Sequence, residues 1–248
     1  MQFITGWRMK HRQMFYAPLL PDRPYCFDIG ANHDEYTAAF LSLGARVVAV
    51  EPQASCIKFI DAAFSEEVTS GRVVTRSAAV GAGQGKAELF IGPDPARSMS
   101  SLSAVFVDTS RANGQKWDIP PIEVELITLD SLIAELGVPD YVKIDVEGFD
   151  LEVLRGLSQP VNLVSFEFNT QPPLIDTAAG CIKRLQELGH YEFNYQVEAP
   201  NETSLQFDRW VDACVMVYTL RHDLARQPSF GDIFARRVCR MQKGSVEF

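Results

Sequence analysis

The chain has 248 residues, 46% of them hydrophobic, which is enough to bury a sizeable core in one α/β domain. Its formal charge is -9, and a net acidic surface repels phosphate backbones, so nucleic acid is not an expected partner. No apolar run approaches the ~18 residues a transmembrane helix needs, and the first residues lack the pattern of a signal peptide, so neither a membrane nor a secretory role is expected.

Cys26, Cys56, Cys181, Cys214 and Cys239 lie far apart, and no C-x-x-C pair exists. That spacing supports neither a zinc site nor a disulfide framework; no metal is expected, and a reducing, cytoplasmic compartment is. Residues 1–24 form an N-terminal extension whose basic, aromatic segment 7–12 reads as a helix laid against the domain, with a lid or partner contact as the alternative.

From residue 25 short apolar runs alternate with amphipathic stretches, the signal of a parallel sheet with crossover helices. Strands are predicted over 25–29, 46–50, 72–76, 86–91, 122–127, 141–145 and 163–168, and helices over 35–43, 57–64, 129–136, 151–157 and 178–188. Residues 92–121 are polar and read as an irregular insert, with 97–102 placed to serve as a lid. Two further strands are predicted over 191–197 and 213–220. The roughly 15 residues between them are too few for a crossover helix, so an antiparallel C-terminal hairpin closes a domain spanning 25–220. The tail 221–248 reads as helical, with a surface helix over 232–241.

The strongest chemical signal is the strand–turn–helix at 27–37. Ligands of doubly wound folds sit at the carboxyl ends of the strands, against such a turn. Asp28 ends the strand, Gly30 and Ala31 admit close backbone approach, and Asn32, Tyr36 and Thr37 supply polar groups. Glu51 ends the second strand, where an acid accepts hydrogen bonds from both ribose hydroxyls. A pyrophosphate needs G-x-G-x-x-G, and the positions after Gly30 read Ala31, Asn32, His33 and Asp34 instead. A nucleotide-dependent oxidoreductase is therefore disfavoured.

These stretches resemble the FkbM-type methyltransferases: FDIGANHDEYTAAF (27–40), VVAVEP (47–52), SAAVG (77–81), ITLDSL (127–132), YVKIDVEGFDLEVLRG (141–156) and VSFEFN (164–169) occur in the family's order. The resemblance implies a class I methyltransferase fold, Rossmann-like and doubly wound, with S-adenosyl-L-methionine as cofactor. It implies that Asp28, Gly30, Asn32, Tyr36 and Thr37 line the methionine end, that Glu51 holds the ribose, and that Ser77, Ala78 and Ala79 flank the adenine. It also puts Asp145 near the transferred methyl. The family's usual Gly is Asp34 here, read as capping the helix from outside the site.

Methyl transfer to oxygen requires an aligned acceptor and removal of its proton. Asp145 is the expected base or acceptor-positioning residue. Glu167, from the neighbouring strand, assists, and His33 in the turn is a further candidate. Lys143 is expected to face inward and pair with an acid. The expected function is O-methylation of a small-molecule or glycan hydroxyl. The alternative is a catalytically silent cofactor-binding module with a partner or scaffold role.

Overall fold

The computed structural model describes residues 6–33, 35–92, 99–198 and 204–238, and of residues 6–8 the backbone alone. The chain opens with helix α1 (Gly6–Tyr16) and enters the sheet through β1 (Tyr25–Ile29). Helix α2 (Glu35–Ser42) leads to β2 (Arg46–Val50), and α3 (Ala54–Ala63) with the short α4 (Ser65–Thr69) leads to β3 (Val73–Arg76). The strands β4 (Ala79–Val80), β5 (Gly85–Ile91) and β6 (Ser100–Ser101) precede α5 (Ala104–Ala112) and β7 (Ile122–Ile127). Helix α6 (Leu129–Leu136), β8 (Tyr141–Ile144), α7 (Asp150–Arg155) and β9 (Leu163–Asn169) complete the alternating part. After α8 (Leu174–Leu188) come β10 (Tyr191–Val197), α9 (Ala213–Tyr218) and β11 (Phe230–Arg237).

The main sheet has the order β10-β11-β9-β8-β1-β2-β3. Every pairing in it is parallel except those of β11, which runs antiparallel to both β9 and β10. All four residues of β8 are buried, as are four of the five in β1. Strands covered on both faces need such continuous apolar runs. Helix α8 buries Leu174, Ala178, Cys181, Ile182 and Leu185 at helical spacing, and α6 starts with a Thr128–Ser131 capping box. A second, smaller sheet, β4-β7-β5-β6, lies beside the first.

Chain order reverses at β1, whose neighbours are β2 on one side and β8 on the other. The crevice outside the carboxyl ends of these strands is where a doubly wound sheet binds its ligand. Helix α1 is packed against this centre by an aromatic cluster, with Tyr16 5.2 Å from Phe40 and 5.8 Å from Tyr141, and Phe15 5.3 Å from Phe234.

Three sequence expectations are corrected. Residues 213–218 are helical, because the Asp212 side chain accepts the Val215 N–H at 2.9 Å and caps α9, and the run continues through a π turn that buries Leu220. The helix expected over 232–241 is β11 as far as Arg237. Ile233, Phe234 and Ala235 are buried in the sheet, and residues 239–241 lie outside the described set. The strand partner of β10 is thus β11, and the described part of the tail adds a strand to the main sheet. The insert 92–121 is also less irregular than read: it holds β6 and α5, capped by the Ser103 side chain on the Phe106 N–H.

Gly231 sits in β11, where a Cβ would lie 2.1 Å from the Gln196 carbonyl oxygen of β10. Gly231→Ala is expected to destabilise the fold by roughly 1–3 kcal/mol, the usual cost of overpacking. Urea unfolding would show this as a lower midpoint with an unchanged slope.

Candidate functional site

At the end of β1, Asp28 is fully buried. The Thr37 hydroxyl donates to its Oδ2 at 2.8 Å, while Oδ1 has no hydrogen-bond partner among the described residues. Thr37 therefore fixes Asp28. Gly30 has φ +82°, and a Cβ there would lie 1.9 Å from the carbonyl oxygen of Asp145. Only glycine permits this approach, which presses the turn after β1 against the loop after β8.

Asn32 adopts the left-handed conformation at φ +50°, which Asn tolerates better than most residues. Its N–H donates to Glu51 Oε2 at 3.2 Å, and the Gln53 N–H donates to Oε1 at 2.9 Å. Burial pushes the Glu51 carboxyl up to about 7 against the pull of these two bonds, with Asp28 and Asp145 adding to the rise. The Glu51 N–H bonds the Arg76 carbonyl at 3.0 Å, so Ser77, Ala78 and Ala79 leave β3 beside Glu51. Ala78 and Ala79 are buried and Ser77 is exposed.

His33 turns toward α3. Its Nδ1 lies 2.5 Å from the Asn32 Oδ1, its Nε2 3.9 Å from the Cys56 Sγ, and its ring packs edge-on to Phe59. It does not line the cavity that Asp145 and Glu167 share. Asp34, Arg97 and Ser98 lie outside the described residues, whereas Met99 lines that cavity.

The cavity, about 910 Å³, is walled by Arg12, Phe15 and Tyr16 of α1, Tyr36 of α2, Phe106 of α5 and Asp145 and Glu147 after β8, with Glu167, Gln196, Glu198 and Asp232 from the far strands. Lys143 lies fully buried beneath it. Its Nζ is 2.7 Å from Asp145 Oδ2 and 3.8 Å from the centre of the Tyr36 ring, and the Arg12 guanidinium also lies on that ring at 4.2 Å. Burial opposes the Lys143 charge, but Asp145, Tyr36, Asp232 and Asp28 hold its pKa well above the ordinary value.

The acids around this ammonium are crowded. Burial, then Glu147, Asp145 and Asp150, push Glu167 well above the carboxylate range. Glu147 rises through burial and the charges of Asp145 and Asp150. Burial and Asp145 push Asp150 up to about 7, and burial pushes Asp232 up to about 6. Glu147 itself stands at φ +55°, held by the Ser101 hydroxyl donating to its carbonyl at 2.7 Å. The neighbouring Ser100 hydroxyl accepts from Gln53 Nε2 at 3.3 Å. Strand β6 therefore reaches both the Glu51 side and the Glu147 loop.

Sequence reasoning gave Glu198 and Asp232 no cavity role, and it placed Arg12 and Ser101 only within the segments 7–12 and 97–102, each offered as a lid, without a role of their own. Asp232 carried a usable signal, an acid set inside an apolar strand. The others are brought in by packing alone. Among the described residues no group of His, Cys, Asp and Glu has the arrangement of a metal site, and no helix is long and apolar enough to cross a membrane.

A family model described as the methyltransferase FkbM domain matches residues 28–197, well over half the chain. Among solved structures, the chain is similar to a precorrin-6Y C5,15-methyltransferase from Geobacter metallireducens GS-15, at 13% identity and TM-score 0.46, over 96% of this chain and 92% of that one. It is also similar to a SAM-dependent O-methyltransferase from Thermotoga maritima, at 14% identity and TM-score 0.41, over 98% of this chain and 69% of that one. No curated protein matches the sequence.

The raised carboxyls fix a pH dependence of stability. A group whose pKa is higher folded than unfolded stabilises the fold fully below its unfolded value, and that contribution is lost as pH rises through the folded value. For Asp150, Asp232 and Glu51 the window runs from ordinary values of 3.8 to 4.5 up to about 6 or 7. The thermal midpoint of the cofactor-free protein is expected to fall between about pH 5 and about pH 8 in a scanning fluorimetry series, whereas a rise over that span would contradict the arrangement.

Proposed function

Because the chain belongs to the FkbM methyltransferase domain family, we propose that it methylates a hydroxyl group of a small molecule or glycan. Its fold is that of the class I methyltransferases and its cofactor is S-adenosyl-L-methionine. When bound, this cofactor would supply an electrophilic methyl carbon, which would gain a bond to the acceptor oxygen as its bond to sulfur breaks and leaves a neutral thioether.

The residues at the strand ends fit such a cofactor. Each Glu51 oxygen already accepts one backbone N–H and keeps a lone pair for a ribose hydroxyl, and two such donors would restore the charge that burial disfavours. The partnerless Asp28 Oδ1 and the side-chain-free approach at Gly30 support a methionine end at this turn, with Asn32 and Tyr36 beside it and Thr37 holding Asp28. Ser77, Ala78 and Ala79 follow on the adenine side. His33 braces the Asn32 turn.

One observation carries the acceptor assignment. The Gly30 backbone packs directly on the Asp145 carbonyl, so the turn that receives the methionine end adjoins the cavity that holds Asp145 and Glu167. Asp145, kept in place by Lys143, accepts the hydroxyl proton as the new C–O bond forms. Glu167 receives a second hydrogen bond from the acceptor. The lining combines carboxyl and amide groups, including Asn169 and Gln171, with the aromatic faces of Phe15 and Phe106, a composition suited to a polyhydroxylated acceptor.

Asp145→Asn is expected to lower turnover by roughly 10²-fold or more while adenosylhomocysteine affinity, measured by calorimetry, stays nearly constant. Equal turnover in the variant would remove Asp145 from the chemistry. Glu167, held above the usual carboxylate range, receives the acceptor's hydrogen bond most strongly once ionised, so activity is expected to rise with pH on the acid limb, and Glu167→Gln is expected to flatten that limb.

A further inference from the structure

Building on the methyl-transfer reading of this cavity, we infer that the acceptor enters it as a cation, a hydroxyl compound whose protonated amine docks on Glu167, Asp232 and Gln196. In the antiparallel register of β11, Asp232 stands directly opposite Glu167 of β9 on one side and directly opposite Gln196 of β10 on the other. Side chains directly opposite in adjacent strands share a face, so two acids and an amide form one row across the sheet at its carboxyl edge. All three line the cavity.

Two like charges directly opposite destabilise a strand pair, so the row costs the fold stability unless a cation bridges it. The charges of Lys143 and Arg12 reach Asp232, but among the described residues no cation forms an ion pair that bridges the two acids. Arg12 is paired with Glu35 and stacked on Tyr36, and Lys143 is bonded to Asp145 beneath the Tyr36 ring. Glu147, Glu167, Asp232 and the rim residue Glu198 face the cavity without an ion pair among the described residues. The two acids of the row come from separate strands, so their meeting is fixed by the sheet's register.

An alkylammonium has three N–H donors on one compact charge, and the two carboxylates of the row can accept from it, with the Gln196 amide beside them. The same wall repels carboxylate and phosphate ligands. Phe230, 49% exposed and preceding Gly231 and Asp232 in β11, adds an apolar face at the mouth for the carbon frame that carries the amine. The upward-shifted acids are consistent with this occupant, since a bound cation displaces the protons they hold. An aminosugar joins an ammonium to neighbouring hydroxyls and so satisfies both the row and the amide lining.

The full-length protein, saturated with adenosylhomocysteine, would be titrated by calorimetry with glucosamine, N-acetylglucosamine and glucuronate near neutral pH, in two buffers of different ionisation enthalpy. Glucosamine is expected to bind at least about tenfold more tightly than N-acetylglucosamine, the scale of a charge-assisted hydrogen bond, and to release protons. Glucuronate is expected not to bind. Asp232→Asn relieves the like-charge pair and is expected to fold, with adenosylhomocysteine affinity kept and the preference for glucosamine lost. Equal binding of glucosamine and N-acetylglucosamine, a preference for glucuronate, no binding of glucosamine, or an unchanged preference in Asp232→Asn would each overturn the inference. So would binding of magnesium ion alone that Asp232→Asn abolishes, because the row would then be a metal site. The wild-type ligand comparison stands even if the variant fails to fold. O-methylation is read separately, by whether methyl-labelled cofactor deposits its label on oxygen, on nitrogen or nowhere, so either claim can fail without the other.

Discussion

One buried ammonium organises the cavity of this molecule. Lys143 sits in the middle strand of the sheet, wholly removed from water, and a charge placed there survives only if it is paired. Asp145 supplies the direct partner at 2.7 Å, the Tyr36 ring covers the ammonium, and Asp28 and Asp232 add their fields from β1 and β11. The four partners come from β1, α2, the loop after β8 and β11, so the charge of one lysine ties the two halves of the sheet together at the point where chain order reverses. The same lysine orients the carboxylate assigned to the acceptor proton. Stability and, in the proposed function, chemistry therefore depend on one contact.

The cofactor and acceptor sides communicate through backbone more than through side chains. Gly30 has no Cβ because the Asp145 carbonyl occupies its place, so any shift of the turn after β1 moves the loop that carries Asp145 and Glu147. Strand β6 repeats the connection from the opposite side. Ser100 accepts from Gln53, two residues beyond Glu51, and Ser101 donates to the Glu147 carbonyl. A left-handed Glu147 costs conformational energy that a surrounding structure must offset, and the buried Ser101 hydroxyl is the group that does so.

The central strands were readable because they are buried on both faces and spell continuous apolar runs; so were the acids that end them. Asp28, Glu51, Asp145 and Glu167 each sit where a strand stops, which is where a doubly wound sheet keeps its ligand. The C-terminal third was harder. Residues 213–220 form an almost continuous apolar run with two valines, which fits a buried strand as well as a helix, and only the Asp212 cap and the burial of Met216 and Leu220 decide for a helix. The last strand carries a glycine, an aspartate and two arginines, and so resembles a surface helix until its register partners are known. Asp232 was lost with it. Arg12 and Ser101 reach the site through tertiary packing, which no local pattern encodes.

The excess of acid in the cavity is the feature least explained by folding. Consistent local and global preferences are the mark of a sequence selected for stability, and departures from them concentrate where function demands them. Here the departure is large: Glu147, Asp150, Glu167 and Asp232 are all pushed above the carboxylate range, with one buried ammonium between them. A core filled with apolar residues of similar volume would have been more stable. In the proposed function the sulfonium of the cofactor would offset some of this negative potential at the Asp145 end. It does not account for the Glu167–Asp232 pair, whose register places it on the strands beyond β8, on the side of the sheet away from β1 and Glu51. A charge arrangement that costs the empty fold stability is retained when a ligand of opposite sign repays it, and in the inference drawn above the position of this pair makes that ligand the acceptor.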